Sequence, residues 1–279
     1  MKKSIFQSII LLALIMVLAC LFYLTPDKKS QNPHPVSSGS VSYIKPGSGI
    51  GGGDINGNAV AGKKSLPIYC VKHDDSEKCI SISFDAAWGA DDTIEILNTL
   101  DKYNVKATFF MTGGWVDSYP DMVKEICSRG HDLGNHSHNH KQMSKLSSSE
   151  QKDEIMYVTD KVKELTGYDV FLFRPPYGDY NSTLINTVYG CNHYPIQWNV
   201  DSLDWRDYGV ENIIKTVTNH KALGNGSIIL MHNGAKYTAK ALGTVIETLQ
   251  SQGYTFIPIS EMIIRDNFHM DGTGRQIAD

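Results

Sequence analysis

The sequence predicts an α/β domain built on a mainly parallel sheet, carried behind an apolar N-terminal segment and a flexible tether. Three observations predict it. Short runs rich in β-branched and aromatic residues alternate with longer amphipathic ones from residue 66 onward. One helical pattern separates nearly every pair of strand candidates, which is the rhythm of βαβ units. Polar clusters fall just after the C-terminal ends of the strand candidates, the edge where α/β folds place their chemistry. Periodicity alone leaves an incomplete barrel and an open doubly wound sheet equally compatible with this pattern.

Taken in order, the chain opens on Met1-Lys2-Lys3 and an apolar run from Ile5 to Leu24 interrupted only by Gln7 and Ser8. That length suffices to span a bilayer as a helix. Thr25-Pro26-Asp27 follows with no small-x-small cleavage site, so residues 1–25 are expected to be a signal anchor rather than a cleaved peptide. Val17-Leu18-Ala19-Cys20 offers a lipoprotein signal as the rival. The domain behind the anchor is expected on the extracytoplasmic side of the cell membrane. Residues 26–65 turn to Ser, Gly, Pro and Asn, with "PGSGIGGGDINGNAVAG" inside them, a composition that serves as a tether and buries no core.

Strands are expected at 80–84, 106–111, 131–135, 170–173, 195–200, 227–231 and 255–259, giving about seven in a domain spanning 66–265. Helices are expected near 91–103, 119–129, 147–166, 181–189, 210–222 and 237–251. Ser147 and Glu150 make a capping box at the start of the longest, and Gly167 closes it. Residues 266–279 read as a tail. Cys70 and Cys79 flank a polar stretch and suit either a cross-hairpin disulfide or two free thiols. The formal net charge of −4 with 20% charged residues offers no basic stripe, so no nucleic-acid partner is expected. No segment marks a protein partner.

The clusters at the strand ends carry the candidate chemistry. "ISISFDAAWG" ends a buried strand on Asp85, with Ala86 next where a second acid often stands. In "GNHSHNH", His136 and His140 are four apart, so one helical turn would bring both imidazoles to one side as ligands for zinc or a similar divalent ion. His138 would point elsewhere. "FRPPYG" sets Arg174 before two prolines that stiffen the loop and leave the Tyr177 N–H as an oxyanion donor. "WNVDSLDW" joins Asp201 and Asp204 to Trp198 and Trp205, and "IILMHNG" puts His232 directly after an apolar strand, where a general acid would sit.

Jointly, SFDxxWG, H-S-x-x-H, R-P-P-Y-G, D-S-x-D-W and L-x-H, in this order over about residues 78–262, resemble the polysaccharide deacetylase family, the NodB-homology domain of carbohydrate esterase family 4. "SFDAAWG" with "WNVDSLDW" and the anchored architecture look most like its sporulation-associated, PdaB-type branch. The resemblance implies a distorted, incomplete (β/α) barrel that removes N-acetyl groups from amino sugars of an N-acetylated glycan, peptidoglycan foremost, with a divalent metal. Zn²⁺ is the expected ion, with Co²⁺, Mn²⁺ and Ni²⁺ as rivals. It makes Asp85 the general base held by Arg174, and His136 and His140 the metal ligands. Tyr177, reached through Pro176, becomes the oxyanion donor. His232 is the general acid, supported by Asp204 and packed by Trp205, and Leu230 lines the acetyl pocket. The family usually has a metal-binding Asp where this chain has Ala86. Three outcomes follow: an active site with two histidine ligands, a shell completed by Asp85 or by a loop acid such as Asp91 or Asp92, or a silent glycan-binding module. An O-acetyl esterase would share the same chemistry.

Overall fold

A computed structural model describes residues 65–74 and 76–279 of the chain. The anchor expected at 1–25 and nearly all of the tether therefore lie outside the described residues. Among the described residues, no helix is long and apolar enough to cross a membrane.

Within the described residues, eleven strands form one sheet: β1 (Cys70–Val71), β2 (Cys79–Ala86), β3 (Thr108–Met111), β4 (Asp132–Asn135), β5 (Leu172–Phe173), β6 (Tyr194–Pro195), β7 (Val200–Asp201), β8 (Ser227–His232), β9 (Thr255–Phe256), β10 (Phe268–Met270) and β11 (Arg275–Ala278). Its main order is β10-β11-β1-β8-β2-β3-β4-β5-β6, with β7 beside β8 and β9 beside β2. The pairings from β8 through β2 to β6 are parallel, as the alternation with helices requires. Ile68, just before β1, bridges Ile196, just after β6, through Ile68 N–H to Pro195 O at 2.8 Å and Gln197 N–H to Ile68 O at 2.7 Å. The two sides of the sheet thus curl until they touch, which decides for the incomplete barrel.

Among the described residues, eight helices pack around it: α1 (Thr93–Lys102), α2 (Gly113–Ser118), α3 (Pro120–Ser128), α4 (Ser148–Thr166), α5 (Ser182–Gly190), α6 (Val210–Thr218), α7 (Thr238–Ser251) and the single turn α8 (Ile259–Met262). The capping box of α4 forms as expected, and Gly167 takes the left-handed conformation at φ 74° that ends it. Pleating divides β2. Ile80, Ile82, Phe84 and Ala86 join Leu97, Leu100, Val245 and Ile246 in the layer between sheet and helices. Ser81, Ser83 and Asp85 therefore face the barrel interior.

Several expectations need correction. The strand expected at 195–200 splits into β6 and β7, because Ile196 turns to pair with Ile68 while Asn199 bonds to β8 through Ile228 N–H at 3.0 Å. The strand expected to reach 259 stops at Phe256, since Pro258 cannot donate to a ladder and instead precedes α8. Helix α2, absent from the expected set, starts where Thr112 accepts from Trp115 N–H. Residues 266–279 are no tail; β10 and β11 pair with each other, and β11 extends the sheet along β1. Cys70 and Cys79 are free, because β8 runs between their strands: Ser227 pairs with Cys70 on one side and Ile80 on the other. Two strand spacings, about 10 Å, exceed the reach of a disulfide.

Candidate active site

The five motifs meet at the C-terminal edge of the sheet, where β8 and β2 stand on one side of β3 and β4 and β5 on the other. The centre is a buried ion pair. Arg174, entirely enclosed, donates from Nη1 to Asp85 Oδ1 at 2.7 Å and from Nη2 to Ser83 Oγ at 2.9 Å and Gln197 O at 3.1 Å. Its guanidinium lies 4.1 Å from the ring centroid of Phe110, and only a glycine at position 134 leaves room for that ring, which stands 2.5 Å from where a Cβ would be. Burial opposes ionisation of Asp85, but the charge of Arg174, then those of His136 and His232, hold its carboxyl below the usual carboxylate range.

Asp85 Oδ2 faces His136 Nε2 at 3.5 Å, and His136 Nε2 faces His140 Nε2 at 3.2 Å. His136 Nδ1 lies 2.8 Å from the carbonyl of Arg174, which can only accept, so the proton sits on Nδ1 and the Nε2 lone pair points into the site. Burial presses the His136 imidazole down to about 4, leaving it neutral near pH 7. The pair is not made by a helical turn as expected. His136 continues directly from β4, and the loop returns through left-handed backbone at Ser137 (φ 65°) and His140 (φ 52°). Glu154 of α4 fastens that loop: its carboxylate accepts from Asn139 N–H at 2.7 Å, Asn139 Nδ2 at 2.9 Å and Lys141 Nζ at 2.9 Å. His138 points away and stacks on Tyr157, with ring centroids 3.5 Å apart.

Two imidazole Nε2 atoms 3.2 Å apart fit one divalent ion, since tetrahedral zinc bound at about 2.0–2.1 Å would set such nitrogens about 3.3 Å apart. The set is short of a full protein shell. Among the described residues, no three His, Cys, Asp or Glu side chains converge as a metal cluster. Ala86 is buried on the helix side of β2 and brings no donor atom. Asp92, named as a loop acid, is engaged elsewhere, with Oδ1 accepting from Gly234 N–H at 2.8 Å. No contact joins Asp91 to the histidines.

His232 ends β8 in register with Asp85. Its Nδ1 and backbone N–H both meet Asp204, at 2.7 Å each, and Thr238 Oγ donates to the same fully buried carboxylate at 2.6 Å. Burial disfavours the imidazolium, yet the hydrogen bond and charge of Asp204, aided by Asp85, raise His232 above its ordinary value. Nε2 is left free to face a substrate. Leu230 is buried and in register with Ser83, on the interior face. Pro176 is buried, and Tyr177 sits in left-handed backbone at φ 60° with its ring edge-on to His140, centroids 4.5 Å apart.

One packing role moves to another residue. The ring against His232 is Trp88, centroids 5.3 Å apart, whereas Trp205 lies under the Arg206 guanidinium at 4.6 Å. Trp88 and Ser83 both stand within SFDxxWG, where the motif alone assigns neither a role. Gln197, Glu154 and Thr238 lie outside the five motifs altogether. Ser83 was legible as the residue two before Asp85 on the same strand face; the other three come from distant segments and carried no local signal.

Comparisons with known proteins agree with this geometry. Residues 72–195 match the model of the family described as polysaccharide deacetylase. A peptidoglycan-N-acetylglucosamine deacetylase of Bacillus cereus is 34% identical over 193 residues, covering 67% of this chain and 89% of that one. PgdA of Listeria monocytogenes, named as an enzyme of the same kind, is 37% identical over 188 residues, covering 67% of this chain but 39% of its own length. Among solved structures, wild-type BA3943 from Bacillus anthracis, described as a CE4 family pseudoenzyme, superimposes with a TM-score of 0.66 at 29% identity, covering 77% of this chain and 74% of that one. A mutant of BA3943 described as having restored enzymatic activity gives a TM-score of 0.67 at 31% identity, covering 72% and 73%.

Proposed function

The chain belongs to the polysaccharide deacetylase family, and on that premise we propose that it hydrolyses the N-acetyl groups of a cell-wall glycan, peptidoglycan foremost, with a divalent ion held between His136 and His140. The observation that carries the proposal is the pair of oppositely tuned groups on adjacent strands: Asp85, paired at 2.7 Å with Arg174, which lowers its carboxyl, and His232, paired at 2.7 Å with Asp204, which favours its imidazolium. Amide hydrolysis needs both at once, a base for the incoming water and an acid for the departing amine. A bound ion, Zn²⁺ by the preference of two imidazole donors and Co²⁺, Mn²⁺ or Ni²⁺ as rivals, would supply Lewis acidity and a water of lowered pKa.

Within that site Asp85 Oδ2 takes the proton of the attacking water, while Arg174 keeps Oδ1 fixed. The Tyr177 N–H, the first donor after two prolines, stabilises the oxyanion. Leu230 bounds the space for the acetyl methyl. His232 donates from Nε2 to the amine nitrogen as the C–N bond breaks, and Asp204 keeps the ring oriented and charged. The PdaB-type, sporulation setting and the extracytoplasmic, membrane-anchored location rest on the motif details and the N-terminal sequence.

Ala86 favours one alternative, a silent glycan-binding module, and the resemblance to a protein described as a pseudoenzyme adds to it. Incubating the full-length chain with zinc and either chitin oligomers, peptidoglycan or acetylated xylan separates the readings. Acetate from the first two supports the proposal. Acetate from xylan alone makes the protein an O-acetyl esterase, and glycan binding without acetate makes it a binding module.

A further inference from the structure

We propose that Trp88 is a stacking platform for the sugar ring whose nitrogen His232 protonates. The inference rests on the deacetylase reading of the site and adds the residue that presents the glycan to it. Trp88 is 52% exposed, although a tryptophan is ordinarily among the better-buried side chains, and it belongs to none of the three apolar clusters of the domain. Its indole instead leans on the imidazole of His232. An exposed indole set beside a general acid presents a flat apolar face, which matches the C–H face of a pyranose.

The neighbouring backbone holds that face in place. The carbonyl of Gly89 accepts from Trp115 Nε1 at 3.2 Å and from Asn233 Nδ2 at 3.3 Å. Asn233, fully buried, also donates to Thr93 Oγ at 3.2 Å, and Asp92 accepts from Gly234 N–H. Gly234 is left-handed at φ 75°, and a Cβ there would lie 3.3 Å from Gly89 O and 3.4 Å from Trp88 Cβ. The segment after Trp88 and the segment after His232 are therefore fastened to each other through these hydrogen bonds, which holds the backbone that carries indole and imidazole in one relative position. At the other end of the row, the 66% exposed ring of Tyr177 stands against His140. The acetyl-bearing sugar lies between these two aromatic walls, its ring on Trp88 and its acetamido group towards Asp85.

The test uses the full-length chain and N-acetylglucosamine tetramer. Trp88→Leu keeps apolar bulk for folding but removes the aromatic face, and Trp88→Tyr keeps a face. Trp88→Leu is expected to weaken tetramer binding by about tenfold in calorimetry, and Trp88→Tyr by less than about threefold. The tetramer should alter tryptophan fluorescence in the wild type and leave it unchanged in Trp88→Tyr. In turnover, the loss in Trp88→Leu should fall on KM more than on kcat. Unchanged binding and KM in Trp88→Leu, with acetate still released, would overturn the platform and leave the deacetylase reading standing. Tetramer binding that depends on Trp88 without any acetate release would keep the platform and overturn the deacetylase reading.

Discussion

Replacing Arg174 by methionine tests the centre of the site most severely. The substitution keeps length and apolar packing against Phe110 but removes three donated hydrogen bonds, to Asp85, Ser83 and Gln197. The carboxyl of Asp85 then stays enclosed with its main compensating charge gone. Breaking a buried pair from one side costs about 3–5 kcal/mol. For a domain of this size about 2–4 °C accompanies each kcal/mol, so the unfolding midpoint at pH 7 should fall by roughly 6–20 °C. The sign with pH follows from the direction of the shift. In the wild type the depressed carboxyl stabilises the fold above its unfolded value of about 3.9, and that contribution fades as pH falls through the still lower folded value. In the variant, burial is left nearly unopposed and raises the carboxyl, so its stability is lost as pH rises. The gap between the two proteins should therefore narrow from pH 7 to pH 4. Adding Asp85→Asn to the variant should return much of the loss, because no charge then remains buried. Thermal unfolding followed by circular dichroism reads all three. Midpoints within about 2 °C at pH 7, or a gap independent of pH, would refute the reasoning.

Three further outcomes are expected. Asp204→Asn sets an amide donor against the His232 N–H and loosens the imidazole, so kcat should fall by about 10²–10⁴ and the alkaline limb of its pH profile should move to lower pH. An unchanged alkaline limb would deny that Asp204 tunes His232. Ala86→Asp places a carboxylate at a fully buried position, so without metal the variant should unfold below the wild type and with zinc it should gain more in midpoint than the wild type does. An equal zinc shift in both would mean that position 86 does not reach the ion. Zinc content measured by mass spectrometry should hold steady near neutrality and decline towards pH 4, where the His136 lone pair takes a proton. Occupancy that survives well below pH 4 would place the metal elsewhere.

Much of this was legible because strands announce themselves and their ends carry the chemistry. Asp85, Arg174 and His232 each come at the end of an apolar run and His136 follows a strand candidate, so their common edge could be read before any coordinates. The helical patterns survived for the same reason, and α4 kept both its capping box and its closing glycine. What was hidden depends on contacts between distant segments. Glu154 fastens the histidine loop from α4, and Thr238 completes the Asp204 site from α7. The curl of the sheet rests on Ile68 meeting Ile196, a single bridge with no periodic signature. The spacing of His136 and His140 suggested a helical turn, but left-handed backbone at Ser137 and His140 brings the nitrogens together instead. Backbone of that kind has no apolar rhythm to read.

The most direct measurement is acetate released from N-acetylglucosamine oligomers by the full-length chain, followed before chelation, after chelation and after zinc is returned. Expected is release that stops on chelation, returns with zinc and is lost in His232→Ala. Release that continues without metal, or that His232→Ala leaves at the wild-type rate, would contradict a metal-assisted deacetylase built on Asp85, His136, His140 and His232.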